Sequence, residues 1–299
     1  MKTNKITLAV IALLSILFVS CNTENKKTLS KDNHITFDTL IVHNKQYLHN
    51  DTANPFCDLN LSFVYPIAST KSDLSRLQQL FIRNTMGQTY DDFSPEEAVE
   101  RYTKAFLRNY EADARIFKDE LLDLESHPNL IPQNLDMHHE DEMQSSDFYS
   151  YQETLTNRVH FNESNILSFQ VHRSNNKGGS AAYSAFSNYV INLQTGNLIT
   201  ENDIFTPGYD VALQQLFAAN LMLQNGVNTI SDLEDLGYFG IDEIMPNRNF
   251  LIDANGITYI FNKGEYSAYL LDAPEILISF EEVRMLLKKN TLVTKLVEQ

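Results

Sequence analysis

From Phe148 onward the chain passes through three long segments rich in aromatic and β-branched residues: FYSYQETLTNRVHFN, ILSFQVHRSN and YSAFSNYVINLQTGNLIT. Residues of this kind suit a pleated, half-buried surface, and their succession commits the second half of the chain to a sheet. Gln194-Thr195-Gly196-Asn197 supplies a turn between Val190-Ile191 and Leu198-Ile199. NFLIDANGITYIFN reads as a hairpin on Asn255-Gly256, the strongest short hairpin signal in the chain, and EILISF as a last strand. Residues 35–65 also read as strands, ending at Pro66. Helical spacing appears between these runs. Leu74, Leu77, Leu80 and Phe81 form one stripe over 73–86. Ser94, Pro95 and Glu97 open a second helix, whose pattern runs through Ala98, Tyr102, Ala105 and Phe106 toward Tyr110. Residues 210–225 fit a third, with Val211, Leu213, Leu216, Phe217 and Leu221 on its apolar face. Phe280 to Leu287 reads as a closing helix with Lys288 and Lys289 at its end, and residues 126–146 as a loop. Strand runs with interspersed helices and little strict alternation predict an α+β fold, antiparallel sheets with packed helices.

The first 21 residues, MKTNKITLAVIALLSILFVSC, carry another message. A short basic head, an apolar run from Ile6 to Val19 and a small residue before a cysteine are the parts of an export signal. The run falls short of the roughly twenty apolar residues that a membrane span needs. It resembles the bacterial lipoprotein signal, which implies a lipid on Cys21 and removal of residues 1–20. A plain secretory signal and an uncleaved anchor are the alternatives. Residues 21–34, polar and without period, are then a lipidated tether. Residues 35–165 are expected as an N-terminal α+β region and 166–299 as a C-terminal domain. The expected location is the cell envelope, facing the periplasm, because Asn22-Thr23-Glu24-Asn25 lacks an acidic surface-export pair.

The formal charge is −16, and loss of Lys2 and Lys5 with the leader makes the chain more acidic still. Nucleic acid is excluded as a partner, since phosphates demand a basic face. Anionic lipid would repel such a surface, so the attached lipid is the expected membrane contact, and a strongly basic protein the expected electrostatic partner. With Cys21 lipidated, Cys57 stands alone and an intramolecular disulfide is ruled out. Cys57 alternates with Leu59, Leu61 and Phe63 against Asp58, Asn60 and Ser62. That period of two puts the thiol on the apolar face of a strand.

Catalytic signals are weak. Thr36-Phe37-Asp38 echoes the opening of a deacetylase metal motif, but Thr39-Leu40-Ile41 follow, and the paired histidines such a centre needs are missing. His138-His139-Glu140-Asp141-Glu142 are metal-capable, yet neighbours on an extended segment point apart, so a solvated acidic loop is the expectation. A non-enzyme without metal or cofactor is therefore expected. A better recognition element is Asn175-Asn176-Lys177-Gly178-Gly179-Ser180, where glycines between two strands leave backbone amides open to a ligand.

The second half resembles the extracellular domain of RsiV-like anti-sigma factors and PdaC-type peptidoglycan deacetylases. The resemblance rests on an ordered set: Lys177-Gly178-Gly179-Ser180-Ala181, Tyr189 to Gly196, Leu198 to Phe205 with its "T-x-x-D-[IL]-F" element, Asn249 to Gly256, Tyr259 to Asn262, Glu265, Tyr269 and Glu275 to Phe280. Two departures stand out. Relatives often carry Gly-Gly-Ala-His where Ser180-Ala181 follow here, and Tyr-Glu-Ile-Ala-Pro-Tyr where this chain has Gly264 to Tyr269. The resemblance implies a lipid-anchored envelope binding module, non-catalytic, that recognises peptidoglycan or a basic protein such as lysozyme. Lys177, Gly178, Gly179, Ser180, Tyr183, Glu265 and Tyr269 are its expected ligand contacts. A structural or assembly lipoprotein without a small ligand is the alternative, and an envelope hydrolase a more distant one.

Overall fold

Burial in strand β2 (Phe56–Ser69) follows the alternation of its sequence: Cys57, Leu59, Leu61 and Phe63 are buried, with Asp58, Asn60 and Ser62 turned to the other face. The computed structural model describes residues 32–52, 54–126, 150–177 and 182–298, with residues 117–126 described by backbone alone. Cys21, the histidine-acid run 138–142 and the Gly178–Ser180 segment lie outside these residues. β2 pairs antiparallel with β1 (Ile35–Tyr47). It continues three residues past Pro66, because the β1–β2 register shifts at Thr36/Phe37, beside Pro66. A bulge of this kind tolerates a residue without an N–H.

After β2 come helix α1 (Leu74–Thr85) and helix α2 (Pro95–Ser126). Ser94 and Glu97 exchange the expected capping hydrogen bonds at the start of α2. The six-stranded sheet continues with β3 (Tyr151–Glu163), β4 (Ile166–Lys177), β5 (Tyr183–Asn192) and β6 (Asn197–Leu198), in chain order. All neighbours are antiparallel except β2 and β3, which run parallel from Cys57↔Tyr151 to Ser62↔Thr156. A parallel pair needs a long crossover, and the segment containing α1 and α2 provides it.

Strand β4 divides two hydrophobic cores. Leu167, Phe169 and Val171 face α1 and α2, joining Leu59, Leu61, Phe63, Leu77, Phe81 and Leu155. Phe169 stacks on Phe81 with ring centroids 4.3 Å apart and on Tyr189 at 5.2 Å. Ile166 faces the opposite way, into a core with Val190, Phe217, Ile252, Ile257 and Phe261. That second core is enclosed by helix α3 (Glu201–Ile204), helix α4 (Tyr209–Asn225), helix α5 (Ile230–Asp235) and a three-stranded antiparallel sheet. The small sheet consists of β7 (Phe250–Ile252), β8 (Gly256–Ile260) and β9 (Glu275–Ser279). Ser168 joins the layers, its Oγ donating to Ile252 O at 2.7 Å.

Two further expectations need correction. Helix α6 (Phe280–Val283) stops short of Leu287, because Leu287 bridges to Phe205 and Lys288 N–H donates to Ile204 O. A final helix, α7 (Leu292–Val297), follows. On α4, Val211 is exposed; Leu213, Phe217 and Leu221, spaced by four, are the buried stripe. The "T-x-x-D" element has a local physical cause. Asp203 accepts hydrogen bonds from Thr200 N–H at 2.8 Å and Thr200 Oγ1 at 2.7 Å, fixing the first turn of α3. Among the described residues, no helix is long and apolar enough to cross a membrane.

Candidate docking site

Two loops of the second core meet at its surface. The first leaves α5, whose start is fixed by a reciprocal pair: Asp232 N–H donates to Thr229 Oγ1 at 3.1 Å, and Thr229 N–H to Asp232 Oδ2 at 3.0 Å. The Thr229 hydroxyl's hydrogen bond is the main force holding the Asp232 carboxyl below its ordinary range. After Asp235 the chain turns at Gly237, φ 99°, a left-handed conformation that favours glycine, and presents Tyr238 and Phe239.

The second loop runs from Asn262 to Pro274. Phe239 N–H donates to Tyr266 O at 3.1 Å and Ala268 N–H to Gly237 O at 2.9 Å, so the loops are stitched together by backbone. Tyr266 roots the second loop, its ring edge-on to Phe261 at 5.3 Å. At Gly264, φ 84°, a Cβ would lie 2.8 Å from the Tyr269 ring, so this glycine gives the ring its seat. The outcome is an exposed apolar tip. Leu270 is 98% exposed, Tyr269 74%, Leu236 47% and Phe239 46%. Acids surround it: Glu234, Asp235, Glu265 and Asp272 are all exposed. Glu265 accepts a long hydrogen bond from Asn247 Nδ2 at 3.4 Å, and Lys263 lies 3.7 Å from Asp272.

Of the ligand contacts expected from sequence, Glu265 and Tyr269 thus fall together at this tip. Lys177 and Tyr183 lie at the far ends of β4 and β5, with Lys177 Nζ 5.6 Å from the centre of the Tyr151 ring and Tyr183 exposed. Among the described residues no hydrogen bond or ring contact joins the two groups. Leu236, Phe239 and Leu270 complete the tip and escaped the sequence reading. The only sequence signal for them is local: two glycines, Gly237 and Gly240, bracket Tyr238-Phe239.

Other clusters are structural in form. Cys57 is fully buried, and burial pushes its thiol up to about 11, well away from a reactive thiolate. Tyr102 donates to the buried Glu153 carboxylate, and Arg173 donates to Thr85 O at 3.2 Å with its other nitrogen 4.0 Å from Glu153. This closed set braces α1 and α2 against the sheet. Glu201, also buried, accepts from Tyr209 at 3.1 Å and from Arg248 N–H at 2.9 Å. Burial, and then the Glu201 charge, pushes the Tyr209 phenol up to about 12. No trio of metal-ligating side chains converges among the described residues. An exposed apolar anchor inside an acidic rim is suited to binding a partner by desolvation and charge rather than to bond chemistry.

Comparison with known proteins finds a family model that matches part of this chain. The family described as "Protein of unknown function (DUF3298)" matches residues 202–281, the stretch that builds both loops of the tip. A crystal structure of a member of that family from Bacteroides fragilis is similar to this chain with a TM-score of 0.76. It is 26% identical, and the match covers 90% of this chain and 100% of that one. A family protein from Pseudomonas aeruginosa PAO1 shares the fold with a TM-score of 0.50 and 12% identity, over 85% of this chain and 96% of that one. No curated protein matches.

Proposed function

We propose that the protein is a non-catalytic binding module of the cell envelope, anchored through a lipid on Cys21, that captures a basic protein of the lysozyme kind. The observation that carries this reading is the tip. Leu236, Phe239, Tyr269 and Leu270 expose apolar surface inside a rim of carboxylates on a chain of net charge −16. Long-range charge would raise the encounter rate with a cation-rich partner, and burial of the tip would supply the affinity. The resemblance to RsiV-like and PdaC-type extracellular domains points the same way.

A pull-down and titration of residues 22–299 against lysozyme test the reading. Leu270→Asp and Tyr269→Ala are expected to weaken binding by about tenfold or more each, a loss ordinary for a central interface residue. Both side chains are solvent-exposed, so thermal stability should stay at the wild-type value. Absence of binding at tens of micromolar, or binding indifferent to both changes, would overturn the proposal. The anchor is tested separately. Cys21→Ser should abolish metabolic labelling by a radiolabelled fatty acid, and a mutant labelled as strongly as wild type would end that part of the reading.

A further inference from the structure

Strand β1 borders the six-stranded sheet, and among the described residues no strand pairs with its outer edge. Two observations fix which of its backbone groups face outward. Thr39 lies opposite Val64, and Val64 turns away from it: its N–H donates to Asn157 Oδ1 at 2.6 Å and its O accepts from Asn157 Nδ2 at 2.8 Å. Thr39 N–H is likewise turned from β2 and donates to the neighbouring Asp38 Oδ1 at 2.7 Å. Direction alternates along an antiparallel ladder, so Phe37, Thr39, Ile41, His43 and Lys45 point N–H and C=O at the free edge.

Open edges are ordinarily guarded by proline, a bulge or charge. From Phe37 to Tyr47 there is no proline and no register shift. Asp38 and Lys45 cancel, on a chain of net charge −16. The basic side chains turn back onto β2: Lys45 Nζ lies 4.1 Å from the centre of the Phe56 ring, and His43 Nε2 3.5 Å from Asp58. Between them and Asp38 stands Ile41, 76% exposed.

The edge is also complementary to itself. Ile41 is the midpoint of β1. A two-fold axis through it, normal to the sheet, sets Ile41 against its own copy, Thr39 against His43 and Phe37 against Lys45 on one face. On the other face Leu40 meets Val42 and Asp38 meets Asn44. No like charges are opposed, and the apolar residues at the centre meet apolar residues. Leu40 and Val42 are half-buried at the rim of the core beneath α1 and α2, so a second copy covers the side they leave in water. Pairing exchanges the Asp38 contact on Thr39 N–H for a ladder bond. An axis at Thr39 would run the ladder into the bulge at Thr36/Phe37, and one at His43 would set that side chain against itself.

We infer that the partner of this edge is a second copy of the chain: β1 pairs antiparallel with β1 about a two-fold axis at Ile41, joining two six-stranded sheets into one. This surface is separate from the tip.

Sedimentation velocity of residues 22–299 tests the inference, with a reversible dimer expected at a dissociation constant of about 10 µM or tighter. Ile41→Lys opposes two charges at the axis and should weaken the dimer about tenfold or more. The change makes the chain less acidic, so greater repulsion between whole chains would not explain the loss. Single cysteines read the register. Ile41 and its copy form a hydrogen-bonded pair with Cα atoms about 5.5 Å apart, within the span of a disulfide, so Ile41→Cys should give a covalent dimer on mild oxidation. Thr39→Cys, set about 15 Å from its copy, should not. Cys57 is fully buried and stays out of the reaction. Leu270→Asp at the tip should leave the dimer intact. A monomer at about 200 µM would overturn the inference. So would a dimer unmoved by Ile41→Lys, one that cross-links equally through Thr39→Cys, or one lost with Leu270→Asp.

Discussion

Phe169→Ala should lower the unfolding free energy by about 3–5 kcal/mol, the ordinary cost of emptying a fully buried aromatic site. The ring is completely buried on β4, packed between Phe81 and Tyr189, and lies where α1 meets the centre of the sheet. The lost transfer energy is joined by two lost ring contacts, each worth about 0.5–1.5 kcal/mol beyond area. Neighbours cannot close the gap easily, since β4 is held on both edges by long antiparallel ladders. Denaturant titration of residues 22–299 measures the effect. A loss below about 1.5 kcal/mol would show that the site collapses or that this core is loosely packed. Phe186→Ala on the opposite face of the same sheet provides the comparison and should cost about 1 kcal/mol, because its ring is already half in water.

Gly256→Ala is the second change with a large expected effect. A Cβ at Gly256 would lie 2.2 Å from Ile278 O and 3.0 Å from Ser279 Cα, both backbone atoms of β9. Gly256 pairs with Ser279 in the β8–β9 ladder, so the methyl group has no flexible side chain to displace. Either β9 shifts outward or the Asn255-Gly256 turn deforms. Overpacking of this sort costs about 1–3 kcal/mol and more when backbone must move, so a loss of about 3 kcal/mol is expected. Gly226→Ala gives the contrast: it meets open space at a φ of 67°, and only the left-handed backbone penalty of about 1 kcal/mol applies. Equal losses for the two variants would sink the steric explanation.

Much of this architecture was legible because it is written in local chemistry. The hairpin at Asn255-Gly256 forms where the sequence places it, with Asp253 Oδ1 accepting from Asn255 N–H at 2.7 Å and Gly256 N–H at 3.1 Å, although neither Asn255 nor Gly256 takes a positive φ. Ser94 with Glu97 marks the start of α2 through hydrogen bonds three residues apart. Cys57 declares its burial by alternation with its neighbours. Features that depend on distant partners were not legible. Nothing near Cys57 announces that its strand will run parallel to one beginning at Tyr151, and nothing near Leu287 says that pairing with Phe205 will end the closing helix. The tip shows the same limit in another form. Glu265 and Tyr269 stood out by resemblance, whereas Leu236, Phe239 and Leu270 escaped notice, because an apolar residue carries no mark of which side of the surface it will occupy.

The parallel pairing of β2 with β3 also dictates an order of events. β4, β5, β6 and the small sheet close over short separations, as soon as each neighbour has been made. The β1–β2 hairpin, made first, stays half-paired until residues 151–156 arrive almost a hundred positions later. Loop closure over that distance costs entropy before any ladder bond returns it, and topologies of this kind fold slowly. A nascent chain halted before Tyr151 therefore shows an open strand edge with Leu59, Leu61 and Phe63 uncovered by β3. The stretch between β2 and β3 acts as a timer on when that edge disappears.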